Sequence, residues 1–75
     1  GLSIHPNPTQ GIVTVNNLKS NVELSIYNIL GKQLATKTLT MVKNKVDISN
    51  YSKGVYLFSL KDHAGNLTTK KVVLQ

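Results

Sequence analysis

The stretch Val46-Asp47-Ile48-Ser49-Asn50-Tyr51-Ser52-Lys53-Gly54-Val55-Tyr56-Leu57-Phe58-Ser59-Leu60 constrains this chain more than any other part of it. It runs from a short apolar strand through a polar corner into an almost continuously apolar strand. Gly54 supplies backbone freedom at the corner. Tyr56, at the start of the strand that follows, is placed to turn its hydroxyl back onto backbone near Ser52, the arrangement of a tyrosine corner. A corner of this kind leads from one sheet to another, so the segment predicts a β-sandwich. Val55 to Lys61 reads as its most central strand, with Tyr56, Phe58 and Leu60 on one face and Val55, Leu57 and Ser59 on the other.

Elsewhere the apolar residues alternate with period two and show no helical spacing. Strands are expected at Leu2 to His5, Gly11 to Val15, Val22 to Tyr27, Lys32 to Thr40, around Val46 and Ile48, Val55 to Lys61, and Leu67 to Leu74. Pro6 and Pro8 end the first of these, because each lacks a ladder donor and pushes the preceding residue toward extended geometry. Val13 and Val15 face opposite to Ile12. Val22, Leu24 and Ile26 alternate with Glu23, Ser25 and Tyr27, the pattern of a strand buried on one face. Lys32 to Thr40 is threonine-rich, has only Leu34, Ala35 and Leu39 to bury, and reads as an edge. Asn28-Ile29-Leu30-Gly31 and Asp62-His63-Ala64-Gly65-Asn66 are turn sequences. Together these features predict an all-β fold, a small immunoglobulin-like Greek-key β-sandwich of about seven antiparallel strands. No linker or repeat interrupts residues 1–75, which read as one domain.

Nine lysines oppose only Glu23, Asp47 and Asp62, for a net charge of +6, and arginine, cysteine and tryptophan are missing. Such a surface attracts anionic partners. Nucleic-acid recognition is not expected, since the arginine fork and exposed aromatic platforms are both lacking. Apolar runs are too short for membrane insertion, and no signal peptide opens the chain at Gly1-Leu2-Ser3. His5 and His63 have no second ligand at metal spacing. The serines lack a nucleophile-elbow context and no glycine-rich phosphate loop exists. No catalytic residue, metal or cofactor is therefore expected, and the chain does not read as an enzyme. Tyr27 is the only aromatic expected on an open strand face, with Tyr51 packed under the corner.

Four signatures occur in order: Pro6-Asn7-Pro8-Thr9 followed by Gly11, Tyr27-Asn28-Ile29-Leu30-Gly31-Lys32, Ser52-Lys53-Gly54-Val55-Tyr56, and Lys70-Lys71-Val72-Val73-Leu74-Gln75. Their order and spacing resemble the type A C-terminal sorting domain of the type IX secretion system of Bacteroidota. The motif candidates are Pro6, Asn7, Pro8, Thr9, Gly31, Gly54, Tyr56, Lys70, Lys71, Val72 and Val73. The resemblance implies a non-catalytic address that follows an N-terminal cargo domain and is read by an outer-membrane secretion translocon. It further implies transit through the periplasm, cleavage by a sortase-like peptidase, and delivery of the cargo to the cell surface or medium. Tyr51 departs from the pattern, which more often has leucine there, and no cleavage site is legible.

Read from the residues alone, Gly31 and Gly54 are structural, while Asn7 and Thr9 either cap a turn or touch a receptor. The last strand can offer an edge for pairing with another protein's sheet, with Lys70 and Lys71 as either recognition groups or protection against aggregation. A glycan-binding or adhesion β-sandwich module is the alternative that the positive charge suggests.

Overall fold

The computed structural model describes all residues from Gly1 to Gln75. Period-two alternation becomes seven strands and no helix. β1 (Ser3–His5), β2 (Ile12–Asn16) and β5 (Lys45–Asp47) form one sheet in the order β1-β2-β5. β3 (Val22–Asn28), β4 (Gln33–Leu39), β6 (Gly54–Asp62) and β7 (Leu67–Leu74) form the other, in the order β4-β3-β6-β7. All neighbouring strands are antiparallel. β3-β4 and β6-β7 are hairpins, whereas the pairings β2-β5 and β3-β6 join strands distant in the chain and make the Greek key.

The two sheets close over one apolar cluster. Val13 and Val15 from β2, Leu24 and Ile26 from β3, Phe58 and Leu60 from β6, and Val72 and Leu74 from β7 are its centre. Burial follows the parity of each strand, because successive side chains point to opposite faces. Thus Ile12 is exposed while Val13 is fully buried. β6 does lie in the interior of its sheet, between β3 and β7. Its apolar run is nevertheless covered on one face only: Val55 and Leu57 remain 36% and 37% exposed, since the three-stranded sheet packs against the opposite side. Leu34 also differs from expectation and stays exposed. It sits at a register irregularity, where Tyr27 pairs with Gln33 while Ile26 pairs with Ala35, and the extra residue is turned out of the ladder.

The corner forms as its residues dictate. Tyr56 is 7% exposed and its hydroxyl donates to the Ser52 carbonyl. Its ring lies 5.3 Å from that of half-buried Tyr51 in a tilted arrangement. Gly54 adopts φ +152°, a conformation that side chains rarely tolerate, although a Cβ there would meet nothing within 4 Å.

Candidate recognition site

Leaving β1, the chain crosses from the three-stranded sheet to the outer edge of β7. Asn7 and Thr9 take up that edge. The Asn7 amide Nδ2 donates to the Lys71 carbonyl at 2.6 Å and its Oδ1 accepts from the Val73 N–H at 3.0 Å, so one side chain imitates a peptide group. Thr9 then continues in a parallel bridge to Leu74. Its N–H donates to the Val73 carbonyl and its own carbonyl accepts from Gln75, both at 2.8 Å. The flanking Pro6 and Pro8 are exposed and line an open hollow with Gln10, Ile12, Ser49 and Gln75.

Thr9 is itself buried. Its hydroxyl donates to the Ile12 carbonyl at 2.9 Å and accepts from Gly11 N–H at 3.1 Å, a local turn that the threonine side chain closes. Gly11 permits close packing there, because a Cβ at this position would stand 2.9 Å from that of Ser49. Asn7, by contrast, caps no local turn. Its partners lie 64 and 66 residues away in the chain.

The expectation of a free final edge is corrected by this arrangement. Since the N–H and C=O of Val73 point away from β6, the odd-numbered residues of β7 turn their backbone groups outward. From the Lys71 carbonyl to Gln75 those groups are taken by Asn7 and Thr9, which leaves open only the stretch from Leu67 to the Lys71 N–H. Side chains follow the same parity. Val72 is fully buried, and Val73 is half-buried on the outer face opposite Val55. Lys71 is exposed, whereas Lys70 is half-buried on the core-facing side, paired in register with Phe58.

The four signatures meet. Asn28 pairs with Tyr56, Tyr56 with Val72, and Gly54 with Leu74, which bridges to Thr9. Segments from both ends and the middle of the chain therefore form one continuous strip across the end of the larger sheet. At the far side of the strip is the β3-β4 hairpin. Asn28 Oδ1 accepts from the N–H groups of Leu30 and Lys32, both at 3.0 Å, Gly31 N–H donates to the Asn28 carbonyl, and Gly31 adopts φ +85°.

The β6-β7 hairpin repeats this turn at the opposite end. Asp62 Oδ1 accepts from Ala64 and Asn66, Gly65 N–H donates to the Asp62 carbonyl, and Gly65 has φ +91°. Hydrogen bonds from Asn66, backbone first and then side chain, with a smaller one from Ala64, hold the Asp62 carboxyl below its ordinary range. Asp47 is lowered in the same way by Ser49, side chain first and then backbone.

His5 and His63 are both exposed, and no three histidine, cysteine or acidic residues approach one another closely enough to hold a metal ion. Tyr27 is half-buried on the outer face, with Leu57 opposite it on β6. Gly11 and Asn28 also shape this end of the sheet, and Ile29 and Leu30 stand exposed at the hairpin tip. Two large aliphatics inside a turn are the signal of that tip in the sequence.

Residues 3–75 match the family described as the secretion system C-terminal sorting domain. The chain belongs to that family. This sorting domain is also similar to part of beta-agarase D of Zobellia galactanivorans, 25% identical over 73 residues that make up 97% of this chain and 15% of the relative. It is similar to part of funoran endo-beta-hydrolase of Wenyingzhuangia aestuarii, 31% identical over 77 residues, covering 99% of this chain and 10% of that protein. The chain thus spans a small fraction of the length of the curated relatives it matches. Sorting domains of the type IX system are signals rather than catalysts, and their function is export to the cell surface or secretion.

Proposed function

We propose that residues 1–75 act as a single folded address, which a translocon in the outer membrane reads after the cargo has entered the periplasm. The strip in which all four signatures meet carries this reading. A receptor that contacts the strip senses the fold, because Asn7, Thr9, Gly54, Tyr56, Val72 and Val73 come together only when β6 and β7 have paired and the segment after β1 has docked on the edge of β7. Lys71, exposed beside the Asn7 cap, is the charged group of the strip best placed to meet an acidic receptor surface. Removal of the domain by a sortase-like peptidase would follow passage, with the cut near or before Gly1. Cargo proteins of the kind named for the two relatives, a beta-agarase and a funoran endo-beta-hydrolase, fit a delivery role of this sort.

The test is a fluorescent reporter that carries a Sec signal and this domain at its C terminus, expressed in a host with type IX machinery. The intact domain should move the reporter to the cell surface or medium. A reporter that stays in the periplasm while the domain is folded would refute the proposal.

A further inference from the structure

We propose that the Ile29-Leu30 tip of the β3-β4 hairpin is the anchor with which the domain docks into an apolar, acid-rimmed pocket of its receptor protein. The inference rests on the sorting function proposed above and adds to it the part of the surface that is gripped.

The two hairpins of the larger sheet supply an internal comparison. Each is built on an Asx residue whose side-chain oxygen collects two backbone N–H groups, and each closes on a glycine with positive φ. The turn therefore places no demand on the two residues at its tip. In the β6-β7 hairpin they are His63 and Ala64, as expected of a solvated turn. In the β3-β4 hairpin they are Ile29 and Leu30, which are 73% and 88% exposed and belong to no part of the core. Large aliphatics held out to water on a rigid, fully hydrogen-bonded turn gain nothing for the fold. The backbone that carries them is already held by the turn, so a partner that buries them has only their side-chain rotamers left to order.

The surroundings of the tip select the occupant. Below it lies a hollow lined by Asn28, Leu34, Tyr51, Ser52 and Tyr56, on the same end of the molecule as the signature strip. Exposed Lys32 adjoins the tip, and exposed Lys53 follows Ser52 at the hollow. These lysines, on a chain of net charge +6, oppose a second copy and favour an acidic rim. A lipid surface is broad, and the neighbouring residues at this end, Asn50, Ser52 and Lys53, are polar. Two projecting aliphatic side chains beside a small hollow, whose apolar lining of Leu34, Tyr51 and Tyr56 is broken by Asn28, Asn50 and Ser52, match a pocket in a protein.

The test exchanges the tips in the reporter fusion. Ile29→His/Leu30→Ala installs a tip that the same turn is known to carry, so the melting curve should be unchanged. Docking should weaken about a hundredfold, and export should fall toward that of a reporter without the domain. Met41→Ser/Val42→Ser, which removes exposed apolar surface beyond the other end of β4, should leave export intact. Lys32→Glu/Lys53→Glu should lower export more than Lys19→Glu/Lys43→Glu, and equal effects would overturn the acidic rim.

If the parent fusion is not exported, the sorting function itself fails. If the parent is exported and the folded tip exchange is exported equally well, the anchor is overturned. Two other results also overturn the receptor pocket. One is co-sedimentation of the parent fusion, but not the exchange, with vesicles of phosphatidylglycerol and phosphatidylcholine, which assigns the tip to lipid. The other is a dimer in sedimentation velocity that the exchange abolishes, which assigns it to a second copy.

Discussion

Replacing Tyr56 by phenylalanine isolates a single hydrogen bond. The ring stays in place against Tyr51, and only the hydroxyl that reaches the Ser52 carbonyl is lost. A net hydrogen bond contributes about 0.5 to 1.5 kcal/mol, and stranding a buried partner adds to that cost. Here the stranded group is the carbonyl of exposed Ser52, beside an open hollow, so water can reach it once the hydroxyl has gone. The stranding penalty therefore does not apply, and the expected loss is about 0.5 to 1.5 kcal/mol. For a domain of this size each kcal/mol lowers Tm by roughly 4 to 8 °C. Thermal melts followed by circular dichroism, with urea midpoints at unchanged m, measure it. Tyr56→Leu, which also removes the ring, should cost distinctly more. If Tyr56→Phe melts with the parent, or if the two variants are equally destabilised, the hydroxyl is not what holds the corner.

Thr9→Val keeps the shape of the side chain but leaves the Gly11 N–H without its acceptor, and should cost about 1 to 3 kcal/mol by urea denaturation, most of it recovered in Thr9→Ser. Gly11→Ala drives a Cβ to within 2.9 Å of Ser49 and should destabilise by about 1 to 3 kcal/mol, with partial rescue by Ser49→Gly in the same chain. Lys71→Glu on the exposed face should stay within about 0.5 kcal/mol of the parent, whereas Lys70→Glu, which sets an acid on the core-facing side opposite Phe58, should lower Tm measurably. Equal melts for the two lysine variants would contradict the register. Asp47 and Asp62 have depressed folded-state pKa values, so their contribution is present above the unfolded carboxylate range and is lost as pH falls through the folded value. Stability should decline below about pH 4, and a melt series in which Asp47→Asn/Asp62→Asn declines as steeply as the parent would count against it.

Much of this architecture is local chemistry written along the chain. Val22, Leu24 and Ile26 against Glu23, Ser25 and Tyr27 announce a strand with one buried face, since backbone geometry alone sends alternate side chains to opposite sides. The corner is equally legible, because Tyr56 bonds to a residue only four positions earlier and Gly54 serves the turn between them. The four signatures could be recognised as short words for the same reason. What tertiary structure alone decided is how those words join. Asn7 finds its partners 64 and 66 residues away, and no local pattern shows that an asparagine between two prolines will take the Lys71 carbonyl and the Val73 N–H on the edge of β7. The sheet that arrives from elsewhere also decides which of Lys70 and Lys71 turns toward the core, and that Leu57 stays partly in water although its run looks suited to burial on both sides. The physical reason is common to all three. Alternation along one strand sets the two faces, but which face is covered, and which edge is taken, depends on the strand or segment that arrives from elsewhere in the chain.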